Sequence, residues 1–238
     1  MKKIYLTLAA CVCATGLAQA QNTVQVGVRA GANWANNDAT RKQYYTREES
    51  APHPQLGFMG GIFATYQLTS WLSVQPELLY SRQGTAFSGF YGGGGGGSSI
   101  FYALDKHRIK LDYLELPVLV QAGGKRLFGE LGMQAGFLVG TRDEVTTYRG
   151  SSPYSYTEYS PESFERWQCN AVAGLGVKLP HSLALTVRYS YGLRHVLKQL
   201  TEEQYNSYIP ARRYTDKEMG HNQVIQASVS YILPFGNE

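Results

Sequence analysis

Five ionisable residues are where chemistry would first be sought: Arg29, Glu77, Glu115, Glu130 and Arg188. Each lies in a stretch where apolar and polar residues alternate, and each takes the polar side, so all five project from one face of a sheet. Paired carboxylates can perform acid and base work on a glycosidic bond, but that reaction needs a cleft for the sugar. Carboxylates crowded with arginines and shut off from water form ion pairs instead, because a buried charge requires a partner and a guanidinium bridges carboxylates well. The expectation is a structural ion cluster, with Arg29, Glu77, Glu115 and Arg188 in a single layer and Glu130 on the same face. The competing reading is a proton or ion path, which requires continuous water. Phe63, Leu79, Phe128 and Leu138 share that face and would plug it.

A second set of titratable residues, Asp105, His107, Asp112, Asp143, Glu144, His195 and His221, falls near the ends of the alternating stretches. Their spacing assembles no Ser-His-acid arrangement and no His/Asp cluster, so no catalytic residue is assigned. Cys11 and Cys13 precede Cys169 by more than 150 positions, and no Cys/His spacing suits zinc, so neither metal nor cofactor is expected. Gly92 to Gly97 lack the Lys-Ser/Thr ending and strand-to-helix setting of a phosphate loop, and are read as a flexible tip. Tyrosine is concentrated between the alternating stretches, at Tyr44, Tyr45, Tyr91, Tyr102, Tyr148, Tyr154, Tyr156, Tyr159, Tyr205, Tyr208 and Tyr214. It offers rigid, amphipathic contact area at low entropic cost, which suits recognition of a protein or glycan.

The elements that must carry these residues are strands. In residues 23 to 34, Val24, Val26, Val28, Ala30, Ala32 and Trp34 alternate with Thr23, Gln25, Gly27, Arg29, Gly31 and Asn33, the period of two that marks a strand. The pattern recurs over 55 to 67, 72 to 83, 108 to 121, 127 to 141, 166 to 179, 183 to 195 and 221 to 235. Each run reaches the ~9 to 11 residues of a tilted transmembrane strand. Connections alternate in length: Leu68 to Trp71, Ala122 to Arg126 and Pro180 to Ser182 are tight turns, while 35 to 54, 84 to 107, 142 to 165 and 196 to 220 are long loops. Trp34, Tyr80, Trp167 and Tyr191 fall near one water boundary, and Tyr66, Trp71, Tyr231 and Phe235 near the other, as aromatic girdles do.

The expected fold is all-β: an eight-stranded antiparallel up-and-down transmembrane barrel with short periplasmic turns and four long extracellular loops. Lipid offers no hydrogen bonds to an open sheet edge, so the last strand must pair with the first. A soluble carrier barrel would place the aliphatic stripe inside, whereas here the charges share the narrower, inward stripe. Past the first twenty residues, no apolar stretch approaches the ~20 residues of a membrane helix.

Lys2 and Lys3, the apolar run to Leu17 and Ala18-Gln19-Ala20 follow the order of a secretory signal, with cleavage before Gln21. Leu8-Ala9-Ala10-Cys11 also resembles a lipoprotein box, though only about five apolar residues precede it against the usual ~7 to 15. The domains are then a signal peptide over 1–20 and an outer-membrane barrel over 21–238. Lys2 and Lys3 belong to the leader, so the 22 basic side chains drop by two against 18 acidic ones. That near balance gives no electrostatic case for nucleic acid.

Ala30-Gly31, the stretch Leu114-Glu115-Leu116-Pro117-Val118-Leu119, and Gly174-Leu175-Gly176 before Arg188-Tyr189-Ser190-Tyr191-Gly192-Leu193 resemble the PorT-like family of outer-membrane β-barrel proteins. The resemblance covers essentially the whole chain after the leader, and Tyr113 to Leu119, with its proline inside a strand, is its strongest element. It implies an eight-stranded outer-membrane barrel, in some members tied to secretion of other proteins, and carries no catalytic motif. Expected partners are outer-membrane lipid, the barrel-assembly machinery, which reads a C-terminal strand like Ile225 to Phe235, and an extracellular protein or glycan or a secretion-system component. Gly236, Asn237 and Glu238 depart from the usual terminal aromatic.

Overall fold

The computed structural model describes residues 24–37, 41–42, 49–50, 53–94, 100–149, 152–158, 164–196 and 221–234. Eight long strands build the barrel: β1 (Val24–Asn37), β2 (His53–Gln67), β3 (Leu72–Gly94), β4 (Ile100–Gly123), β5 (Leu127–Arg149), β6 (Trp167–Lys178), β7 (Leu183–His195) and β8 (His221–Ile232). Each pairs antiparallel with its neighbours in sequence, and β8 pairs with β1 from Gly27↔Ile232 to Asn37↔Asn222, which closes the sheet. No barrel strand is left with an unpaired edge along its membrane-crossing length.

The faces of the wall follow the alternation in sequence. Arg29 and Asn33 of β1 are buried while Val28, Ala30 and Trp34 are exposed, and β8 buries Gln226, Ser228 and Ser230 while exposing Ile225 and Val229. Leu131 is 66% exposed, Leu175 73%, and Val187 is also exposed, whereas Arg188 and Glu130 are buried. A continuous apolar exterior around a charged interior would be strongly unfavourable in water, at about 25 cal/mol for each Å² of apolar surface left exposed. In hydrocarbon the same wall is solvated, and its backbone groups are satisfied within the closed ladder. The arrangement is thus the reverse of a soluble carrier barrel.

Tight turns close one end. The chain reverses between Gln67 and Leu72, Gly123 and Leu127, and Lys178 and Leu183. In the last turn His181 and Ser182 have φ of 61° and 60°. Successive left-handed residues match the right-handed twist of the strands they join.

The other end corrects two expected loops. Residues 84 to 107 and 142 to 165 are in large part strand: β3 and β4 stay paired out to Gly94↔Ile100, and β5 runs on to Arg149, where a further strand, Ser152–Glu158, folds back on it. The glycine run is included, since Gly92 and Gly93 pair with Tyr102 and Phe101, while residues 95 to 97 lie outside the described residues. Cross-strand hydrogen bonding holds these segments extended although Ser88, Gly89 and the glycines interrupt the apolar alternation. The arm so formed carries β3, β4 and β5 beyond the barrel.

A bulge prepares this extension. Asp112 pairs with Gly140 but Tyr113 with Leu138, so Val139 is an extra residue in β5. Below it the even-numbered residues Gln134, Gly136 and Leu138 face inward; above it Val145 is buried and Arg142 exposed. One unpaired residue therefore exchanges the faces of β5 where it leaves the barrel.

Candidate functional site

Large side chains occupy the bore at several levels. At the turn end Phe63 lies over Gly27 and Phe128 over Gly176: a Cβ on either glycine would meet the ring at 2.3 and 2.1 Å. The Arg29 guanidinium stands 5.7 Å from the centre of the Phe63 ring, and Lys178 Nζ 5.8 Å from that of Phe128. At the arm end Leu111, Tyr113, Leu138, Phe164 and Val196 pack together as an apolar cap on the β4–β7 side.

Between these layers sits the ion cluster. Arg188 Nη1 and Nη2 donate to the two carboxylate oxygens of Glu77, each at 2.7 Å, a bidentate pair from β7 to β3 across the barrel. The same guanidinium donates through Nε to Glu130 Oε1 and through Nη2 to Glu130 Oε2 at 3.2 Å. Arg29 Nη2 lies 3.3 Å from Glu77 Oε1, and its Nη1 donates to Ser228 at 3.0 Å. Gln75 and Gln121 donate to Glu77 and Glu130. Two guanidinium groups against two carboxylates make the cluster neutral, and charge-assisted bonds supply the partners that desolvation requires.

Local register explains the geometry. Glu130, Gly174 and Arg188 are direct neighbours across β5, β6 and β7. Gly174 has no side chain, and the Arg188 stem lies over it: a Cβ there would come within 2.8 Å of Glu130 Oε1 and 2.9 Å of Arg188 Cγ.

Glu115 corrects the expected layer. It is fully buried, yet it joins none of the cluster's ion pairs; Gln83 donates to its Oε1 at 2.6 Å. Glu115 shares a register row with Arg29, but Leu79 of β3 and Gly61 of β2 lie between them. Counting residues from strand ends ignores strand tilt, which brings Glu130 to Arg188 and leaves Glu115 above. There it belongs to an amide and hydroxyl network in which Gln83 donates to Ser81 at 3.0 Å, Asn33 donates to Ser81 at 2.8 Å, and Asn222 donates to Gln83. Glu115 Oε2, the side-chain amides of Gln168 and Gln226, and Gln134 Nε2 have no protein partner; buried groups of this kind are met by ordered water.

On the outside, Tyr80, Leu114, Phe137 and Trp167 form one row across β3 to β6, with the rings of Phe137 and Trp167 4.8 Å apart. Immediately above it Arg82 donates to both carboxylate oxygens of Asp112, at 2.7 and 3.0 Å, with its guanidinium 5.2 Å from the centre of the Phe58 ring. Lys110 Nζ pairs with Glu144, and Arg108 lies 3.9 Å from the same carboxylate. The sequence marks Asp112 and Glu144 as rim acids but does not single out Arg82 and Lys110; carrying the outward parity of Tyr80 two residues further reaches Arg82.

Of the remaining rim residues, two histidines come together. His195 and His221 pair across β7 and β8 with ring centres 4.7 Å apart, and His221 Nδ1 is 2.8 Å from the Gly192 carbonyl. Among the described residues no three His, Cys, Asp or Glu side chains come together as metal ligands would. Of the tyrosines, Tyr154 is 68% exposed on the arm. Tyr91, Tyr102, Tyr148 and Tyr156 lie in the arm's strands, opposite Ala103, Gly92, Leu104 and Val145. Tyr44, Tyr45, Tyr159, Tyr205, Tyr208 and Tyr214 lie outside the described residues.

The profile of the outer membrane protein beta-barrel domain family matches residues 18–198. The chain belongs to that family. No curated protein matches it. Among solved structures it is similar to Neisserial surface protein A, at 12% identity and a TM-score of 0.39, covering 89% of this chain and 99% of that one. It is similar to Ail, the attachment invasion locus protein of Yersinia pestis, at 11% identity and 0.33, covering 88% and 98%. The outer membrane protease OmpT of Escherichia coli also matches, at 10% and 0.29, covering 91% and 99%. Family membership and the inverted wall together make this chain an outer-membrane β-barrel protein.

Proposed function

We propose that this outer-membrane barrel protein is a sealed, non-enzymatic anchor whose work is done by the parts it holds above the membrane: a structural or surface-recognition protein whose arm meets an extracellular protein or glycan. Arg188 carries the reading, since it ties β3 and β5 to β7 across the bore, between an aromatic layer at one end and an apolar layer at the other. A channel needs continuous water, and an eight-stranded barrel has room for little beyond its own side chains. The arm supports the other half of the proposal, with extended strands bearing Tyr91, Tyr102, Tyr154 and Tyr156.

In this reading residues 1–20 are the export signal, the barrel-assembly machinery inserts the chain, and the tight turns face the periplasm. Planar-bilayer recording with the purified protein should show no stepwise conductance, and replacing Tyr154 by a photoreactive residue on intact cells should yield a defined crosslink to a surface ligand. Stable channel openings would overturn the sealed anchor.

A second reading, an accessory part of a secretion or envelope assembly of the PorT-like kind, is favoured by Tyr113 to Leu119, where Pro117 sits inside β4. Affinity capture from detergent extracts separates the two, because periplasmic or inner-membrane partners recovered in fixed proportion support only the accessory role.

A further inference from the structure

The layer of the bore between the ion cluster and the apolar cap holds polar atoms that the protein itself does not answer. Ser190 is the next inward residue above Arg188 on β7, and Gln226 of β8 is the direct partner of both Arg188 and Asn33. Asn170 pairs with Gln134, and Glu115 and Gln168 flank Gly136 on β4 and β6. Tyr113 and Leu138, two residues beyond Glu115 and Gly136, belong to the cap above. All of these polar side chains are buried.

Their unmet atoms are mostly oxygens. Glu115 Oε2, Asn33 Oδ1, Asn170 Oδ1, Gln168 Oε1, Gln226 Oε1 and Ser190 Oγ lack a hydrogen-bond partner, against the amide nitrogens of Gln134, Gln168 and Gln226. Charge is unmet as well. Arg29 and Arg188 pair with Glu77 and Glu130, and Glu115 makes no ion pair among the described residues. A lone carboxylate enclosed away from water is strongly unfavourable, and a ligand that brings positive charge to several oxygens at once answers both deficits.

The donors select the ligand. Carboxylate and amide oxygens suit hard cations, and the layer offers a transition metal neither imidazole nor thiolate. Calcium draws several carboxylates, whereas one carboxylate among neutral oxygens balances a single positive charge. Neutral oxygens of this kind can take the place of a monovalent ion's hydration shell.

We propose that this layer encloses one alkali-metal cation, neutralised by Glu115 and held by the side-chain oxygens around it. With the cap above and Arg188 below, the ion is a fixed part of the interior.

The test uses the processed protein refolded from urea into neutral-detergent micelles, in sodium, potassium or rubidium chloride exchanged at constant ionic strength against N-methylglucamine chloride, whose cation is too large to enter. With at least one of the three metals the unfolding equilibrium constant should fall about tenfold once the metal reaches about ten times its dissociation constant. Glu115→Gln should abolish the response, Ser190→Ala, which removes one oxygen and little volume, should weaken the apparent affinity about threefold, and Glu144→Gln at the rim should leave it unchanged. Heat-resistant migration on gels shows that each barrel is folded. A wild type equally stable in all four salts overturns the proposal and leaves the layer to water alone. So does a stabilisation undiminished in Glu115→Gln or, should that variant not fold, in Ser190→Ala.

Discussion

At the residue scale, the interior is governed by the rule that a buried charge must be answered. Changing Arg188 to Met leaves Glu77 and Glu130 without their principal cation, and should cost about 3–5 kcal/mol in reversible urea unfolding from lipid vesicles. Combining Arg188→Met with Glu130→Gln should recover part of that loss, because the Arg29–Glu77 pair that remains is neutral; a double variant no more stable than the single one would refute this account. Gly174→Ala should cost about 1–3 kcal/mol by the same measurement, since its methyl would displace the pair lying over Gly174. On the rim, burial of Asp112 works against ionisation, but hydrogen bonds and the charge of Arg82 outweigh it and hold the carboxyl below the ordinary carboxylate range. The pairing is complete above the unfolded carboxylate pKa of about 4 and is lost as pH falls through the lowered value. In Arg82→Gln the carbon-13 NMR titration of Asp112 should move to higher pH, and an unmoved midpoint would show that Arg82 is not the cause.

At the scale of elements, the barrel strands were legible because membrane insertion imposes a strict period of two, which β1, β7 and β8 keep without interruption. The girdle residues Trp34, Tyr80 and Trp167 were legible for the same reason. The arm was not, because Ser88, Gly89 and the glycine run carry no alternation, and these segments are strands only by pairing with β4. Glu130 joining Arg188 in place of Glu115 was hidden for a different reason: stagger between strands is a property of closure, and no single strand records it. Amide hydrogen exchange should reflect the division, with barrel rows protected to nearly the global limit and the arm between Ala86 and Lys106 exchanging through local opening. Uniform protection across both would mean that the arm and the barrel open together.

At the scale of the molecule, eight strands enclose a space that Phe63, Phe128, Arg188 and the cap around Tyr113 fill, while one side of the rim is drawn out into an arm. The extra residue Val139 has a bearing on inheritance as well. Because it sets which side of β5 turns outward, length changes in the arm beyond it preserve the arm's two faces only when they come in twos. Relatives should therefore differ in that stretch by even numbers of residues, and an odd change would persist only beside a second bulge that cancels it.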